Sequence, residues 1–291
     1  LVSLVRRYPM RITRRYLGLI EKPGDPIWRQ CIPDPLELED DQLPDPLDEE
    51  RLSPVPGLIH RYPDRVVWLV ANECAVYCRF CMRKRRVGCP LTGGDERFWD
   101  DALRFIAATP AIRDVILSGG DPLLLPRPVL RRVIDDVAGL PRIGRLRIHT
   151  RLPMADPTRI DAEMLAILRR WPRRLLVVLH ANHAVELSAA TGACCRRLQR
   201  AGALLLAQSV LLRGVNDSVE ALAGLSRGLL GVGVLPYYLH QLDRVDGAAH
   251  FAVSDHRARR LMAGLARELP GFLVPRLVRE TPGAACKIRL V

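Results

Sequence analysis

The chain has 291 residues, 48% of them hydrophobic and 26% charged, with a formal net charge of +12. A chain of this length can bury about 75% of its unfolded surface, and no apolar run reaches the ~18 residues of a membrane span, which excludes a disordered chain and a bundle of membrane-spanning helices. The opening LVSLVRRYPMRITRRY is too broken by arginine for a signal-peptide core, so a cytoplasmic location is the default expectation, with Leu1 pointing to a trimmed N-terminus.

In chain order, residues 1–31 read as short helices. Residues 33–57, PDPLELEDDQLPDPLDEERLSPVPG, form an acidic, proline-rich connector with no core pattern of its own, expected to wrap the main domain. A regular alternation then begins. The runs VVWLVA (66–71), DVILSGG (114–120), RLRIHTR (145–151), RLLVVLHAN (174–182), ALLLAQSVLL (203–212) and GVLPYYLH (233–240) predict buried strands. Helical patterns separate them around 98–108, 127–139, 158–170, 186–201, 217–230 and 254–268, and a last run, FLVPRLV (272–278), leads into a Pro-Gly turn. Six β-α units in succession predict a parallel sheet, open or rolled into a partial barrel. The expected regions are an extension and connector (1–57), the barrel (58–270) and a C-terminal segment (271–291). In such a barrel the chemistry gathers at the carboxyl ends of the strands.

Arginine is scattered through every helix, whereas lysine occurs only at positions 22, 84 and 287. That pattern is a compositional preference, so the positive charge is discounted as a sign of nucleic-acid binding. It also means that any Schiff base must use Lys22, Lys84 or Lys287.

The first strand runs into NECAVYCRFCMRKRRVG (72–88), which spaces Cys74, Cys78 and Cys81 as C-x3-C-x2-C and follows them with Arg83, Lys84, Arg85 and Arg86. Three thiolates in one loop can ligate three irons of a [4Fe–4S] cluster and leave the fourth open to substrate. Zinc is the alternative; it wants four ligands, no second cysteine pair exists, and His180 or His183 would have to complete the set. Cys31, Cys89, Cys194 and Cys195 read as ordinary small core or surface residues. With Phe80 just before the last cysteine, the loop resembles the signature of the radical S-adenosylmethionine (SAM) superfamily, and SGGDPLL (118–124) resembles its GGE-type loop. The resemblance implies an α/β fold, a partial (β/α)6 TIM-like barrel of the radical SAM type with an N-terminal helical extension and a C-terminal lysine segment. It further implies that Cys74, Cys78 and Cys81 hold the cluster. Ser118, Gly119, Gly120 and Asp121 would meet SAM, with Phe80 against the adenine.

HRYPDR (60–65) places Arg61, Tyr62 and Arg65 as donors suited to a phosphate, or to a surface salt-bridge patch. Lys287 lies in ETPGAACKI, a turn small enough for close approach of a planar group. A lysine with a phosphate cradle is what pyridoxal phosphate needs. With these segments, RYPMRI (7–12), SPVPGLIHRYPDRV (53–66), QSVLLRGVND (208–217) and PYYLHQLDRVDGAAHF (236–251) make the chain similar to the lysine 2,3-aminomutase family. The similarity is greatest to the branch that makes β-lysine for modifying elongation factor P.

The resemblance implies a radical 1,2-shift of an amino group on pyridoxal phosphate, turning α-lysine into β-lysine. Lys287 and Gln208 would serve that cofactor together with Arg61, Tyr62 and Arg65. Arg83 would clamp the substrate carboxylate, and Asp243 and Glu280 would hold its distal ammonium. Two carboxylates there disfavour glutamate as substrate and leave arginine open. Glu280 replaces an Asp of the free-lysine enzymes, which puts the pocket's depth in question. The chain also ends four residues after Lys287, so the expectation is no zinc and a simpler homo-oligomer. The expected partners are lysine, a low-potential electron donor such as flavodoxin or ferredoxin, and a downstream elongation factor P ligase. A radical SAM enzyme acting on RNA, and an iron–sulfur sensor without turnover, are the competing readings. Lys84, Arg85 and Arg86 are expected to form a solvated or anion-facing edge.

Overall fold

Short runs of branched aliphatic residues fold as strands here because helices capped by Ser or Asp separate them. Asp161, Ser188, Ser218 and Ser254 each accept a backbone N–H at a helix start, the usual way of satisfying an orphan donor there. The computed structural model describes residues 2–40, 42–88 and 98–291. Cys89 lies outside these residues.

Nine strands form one sheet in chain order. They are β1 (Leu58–Tyr62), β2 (Arg65–Ala71), β3 (Asp114–Gly119), β4 (Arg145–Thr150), β5 (Leu175–His180), β6 (Leu204–Leu211), β7 (Leu235–Gln241), β8 (Arg276–Arg279) and β9 (Ile288–Arg289). From β2 to β8 every pairing is parallel. The run at 272–278 therefore supplies a seventh parallel strand. Two short antiparallel strands, β1 and β9, extend the sheet at its edges. Helices α4 (Trp99–Ala108), α5 (Arg127–Ala138), α6 (Leu152–Ala155), α7 (Ala162–Leu168), α8 (Ala189–Arg200), α9 (Val219–Gly231) and α10 (Asp255–Glu268) lie between strands, after α1 (Val2–Arg7), α2 (Arg14–Leu17) and α3 (Pro26–Cys31).

β1 and the β8–β9 hairpin lie at opposite ends of the strand order. Even so, Arg61 on β1 donates to the carbonyls of Thr281 (2.5 Å) and Ala284 (3.3 Å) beyond β8. The open sheet must therefore curl until its edges nearly meet. Strand register divides its two faces. Val177, Leu179, Leu205 and Ala207 are buried in the aliphatic core, the Val and Leu side chains contributing about 1.5–3 kcal/mol each. The other face carries Arg147, His149, His180, Gln208, Tyr238 and His240, half-buried and brought into line by the pairings of β4 through β7. A barrel interior filled with branched residues is packed solid; a polar one is built to hold something.

Candidate active site

The loop after β2 is pinned from below by the N-terminal helices and from the side by the acidic connector. Tyr77 N donates to Arg11 O and Arg79 N to Gln30 O (3.0 and 2.9 Å). The buried Arg79 guanidinium bonds Glu37 at 2.9 and 2.7 Å and the carbonyls of Pro9 and Tyr8. Lys84, expected at a solvated or anion-facing edge, is turned inward onto an anion. It is 8% exposed and donates to Glu37 (2.9 Å) and Gly247 O (2.8 Å). Arg85 lies 2.9 Å from Asp45 and, like Arg86, close to Glu50. The cations of the loop are met by the acids of the connector, which is why that edge is closed.

The tip of β3 closes on the same loop. A Cβ on Gly120 would lie 2.4 Å from Glu73 O and 2.6 Å from its N, and one on Gly119, at φ +109°, 2.4 Å from Ala71 O. Only glycine fits either position. Asp121 is fully engaged: its carboxylate accepts from Thr150 Oγ1, Leu123 N, Arg151 N and Leu152 N. What this turn offers a ligand is thus backbone rather than the Asp121 side chain. Burial holds the Cys74 thiol well above its ordinary value and pushes Cys81 up to about 11, so both need an electropositive partner to become thiolates. Arg151, after β4, donates from Nη1 to Cys78 Sγ at 2.6 Å.

The lumen holds most of the remaining expected residues. Lys287 Nζ bonds Glu280 and lies 5.7 Å from the Tyr238 ring centre. Glu280 also accepts from Tyr62 OH at 3.2 Å and lies 3.1 Å from Arg61 Nη1. Asp243 is pushed up to about 7, chiefly by burial, with Glu280 adding and Lys287 opposing. Arg83 is gripped by Glu49 at 3.0 and 2.7 Å and reaches Ser118 at 3.4 Å. Gln208 Nε2 lies 2.6 Å from His180 Nε2 and 3.3 Å from His149 Nδ1. Burial lowers His180 to about 4 and holds His149 and His240 well below the imidazole range, so all three are neutral at pH 7.

Three further residues make contacts of their own within the chain. Arg65 stacks on Tyr62, 3.9 Å from its ring centre, and bonds Asp64. Phe80 packs edge-on against Phe251 at 6.0 Å in a small apolar cluster. His183 caps the turn after β5, accepting from Val185 N at 3.4 Å. Two residues were missed by sequence reasoning. Glu49 was hidden in the connector, where the match between an acidic segment and a basic loop was the available signal. Arg151 ends the run RLRIHTR, but nothing in its spacing ties it to Cys78.

A radical SAM enzyme is the class that this open barrel and its cysteine loop define. Within that class the chain belongs to the lysine 2,3-aminomutase family. It is 41% identical to the L-lysine 2,3-aminomutase of Escherichia coli (strain K12), over 99% of this chain and 85% of that protein. It is 36% identical to that of Buchnera aphidicola subsp. Baizongia pistaciae over the same shares, and 39% to that of Clostridium subterminale, over 97% and 69%. A solved radical SAM methyltransferase from Sphaerobacter thermophilus aligns with a TM-score of 0.49 at 23% identity, covering 76% of this chain and 68% of that one. No protein-family model matches the chain.

Membership implies a [4Fe–4S] cluster, SAM and pyridoxal phosphate, and the residues present fit all three. The β3 tip is stripped of side chains where it meets the cysteine loop, and a buried N–H of Arg151, Nε, has no partner among the described residues. Arg61 and Tyr62 bring anion donors to Lys287. Among the described residues no three of His, Cys, Asp and Glu are grouped as on a single metal ion.

Proposed function

We propose that this chain converts L-lysine into β-lysine by a radical 1,2-shift of the amino group. When bound, the cluster and SAM supply a carbon radical by one-electron cleavage, and pyridoxal phosphate supplies a π bond to the migrating nitrogen. The chain's own residues position the substrate. Arg83 offers guanidinium N–H groups to the α-carboxylate, its plane already set by Glu49. Asp243 and Glu280 take the distal ammonium. Lys287 is the amine that would hold pyridoxal phosphate, with Arg61, Tyr62 and Arg65 as donors for its phosphate and Gln208 as a further holder. Cys74, Cys78 and Cys81 would hold the cluster; Ser118, Gly119, Gly120 and Asp121 would meet SAM through the turn, with Phe80 against the adenine.

The observation that carries the substrate reading is the coupling of two carboxylates beside Lys287. Asp243 feels the charges of Glu280, Lys287, Glu49 and Arg83 together. Two acids in a low-dielectric pocket offset the desolvation of an ammonium and repel a third carboxylate. Electrons come from a low-potential donor of the flavodoxin or ferredoxin kind, the setting is cytoplasmic, and β-lysine goes to a ligase that modifies elongation factor P. No helix among the described residues is long and apolar enough to cross a membrane. The test is a panel of L-lysine, L-arginine and L-glutamate with the anaerobically reconstituted protein. Isomerisation of lysine well above the other two is expected; preference for glutamate would refute the assignment of Asp243 and Glu280.

A further inference from the structure

Arg151 is 8% exposed, and its guanidinium is shared between a metal-ligating sulfur and a brace of buried polar groups. Nη1 donates to Cys78 Sγ at 2.6 Å. Nη2 donates to Gln30 Oε1 at 2.7 Å, to Glu186 Oε2 at 2.9 Å and to Tyr16 OH. The brace is itself fixed. Tyr16 OH donates to Glu186 at 3.0 Å, Asn182 Nδ2 donates to Gln30 Oε1 at 3.0 Å, and the backbone N–H groups of Asn182 and His183 donate to Glu186 at 2.8 and 3.0 Å. Tyr16 comes from α2, Gln30 from α3 and Glu186 from the turn after β5, so three separate pieces of chain fix the orientation of one side chain.

A buried cation is costly unless paired, and Glu186, fully buried, would suffice as its counter-charge. The contact with Cys78 is additional to that pair, and Nε–H, without a partner among the described residues, leaves a further donor for an anion. A cluster with three thiolates gains negative charge on reduction, so a hydrogen bond to sulfur and a fixed positive charge favour the reduced form. We propose that Arg151 is a positioning residue that raises the reduction potential of the cluster through Cys78, held in place by Tyr16, Gln30 and Glu186. The electron comes from a low-potential one-electron donor and takes the cluster from its 2+ to its 1+ state; no covalent bond forms or breaks. The N-terminal helices are thereby part of the redox site. The inference rests on the cluster reading of Cys74, Cys78 and Cys81 and is independent of which amino acid is isomerised.

The experiment is a reductive titration, followed by electron paramagnetic resonance, of the full chain with its cluster reconstituted and SAM left out. Arg151→Gln/Glu186→Gln removes the cation with its counter-charge. It is expected to weaken the reduction equilibrium about tenfold or more, a midpoint about 59 mV lower for a one-electron couple. Arg151→Lys keeps a charge without the two-armed fork and should fall between the double variant and the unsubstituted protein. Tyr16→Phe should shift the midpoint the same way by less. An unchanged midpoint in the double variant with full iron loading would overturn the proposal. If the double variant does not fold, Arg151→Lys decides, and a midpoint equal to the unsubstituted protein's overturns it. Failure of the unsubstituted chain to take up iron would instead refute the cluster reading.

Discussion

Asp243 is buried and sits close enough to Glu280 and Lys287 to feel both charges. Burial pushes it up to about 7, Glu280 adds to the shift, and Lys287 opposes it. Below that pH the free enzyme carries it neutral, and a substrate ammonium favours the ionised form. The KM for lysine should therefore fall as pH rises through about 7, with proton release on binding below it. Asp243→Asn should raise KM and flatten that profile, which a KM-against-pH series reads. The sign for folding is opposite. The folded chain keeps a proton that the unfolded chain loses at ordinary carboxylate pH, so this contribution to stability is present below that range and lost as pH rises through about 7. Gly120 makes a steric prediction. A methyl group there would meet Glu73 backbone atoms at 2.4 and 2.6 Å, which cannot yield as a flexible side chain would. Gly120→Ala should cost about 1–3 kcal/mol, and a thermal melt should show about 2–4 °C lost per kcal/mol together with reduced iron loading.

At the scale of elements, the acidic connector and the cysteine loop behave as one unit. Glu37, fully buried, is the counter-charge of both Arg79 and Lys84. Glu37→Gln leaves two buried cations underneutralised, and breaking such a pair typically costs about 3–5 kcal/mol. A urea unfolding midpoint should fall accordingly, whereas Arg227→Gln, at an exposed pair with Glu268, should change it by ~0–1 kcal/mol. The parallel strands were legible because each is an apolar run bounded by a helix. β1 was not, because HRYPDR drew attention as an anion motif while its Pro63-Asp64 turn also folds it back on β2. The two-residue β9 carries no periodicity at all. Pairing between the connector and the loop depends on which acid faces which base, a fact of tertiary structure that local pattern does not encode.

Over the whole molecule, a curled sheet brings residues far apart in sequence around one lumen. Arg61 and Tyr62 from the first strand meet Glu280 near the C-terminus, and Glu49 from the connector meets Arg83. Cys74, Cys78, Cys81, Arg83 and Lys287 stand out in the sequence because they lie in short motifs. The brace of Tyr16, Gln30, Glu186 and Arg151 does not, since its members come from four separate stretches. The central claim about the whole molecule is that cluster, SAM and Lys287 serve a single isomerisation of lysine. Its most direct test is chiral analysis of the product formed anaerobically from L-lysine, SAM, pyridoxal phosphate and dithionite, with the unsubstituted protein and with Lys287→Ala. Formation of β-lysine by the first and its loss, at least a hundredfold, in the second is the predicted result. Cleavage of SAM by a fully loaded protein without any β-lysine would contradict it.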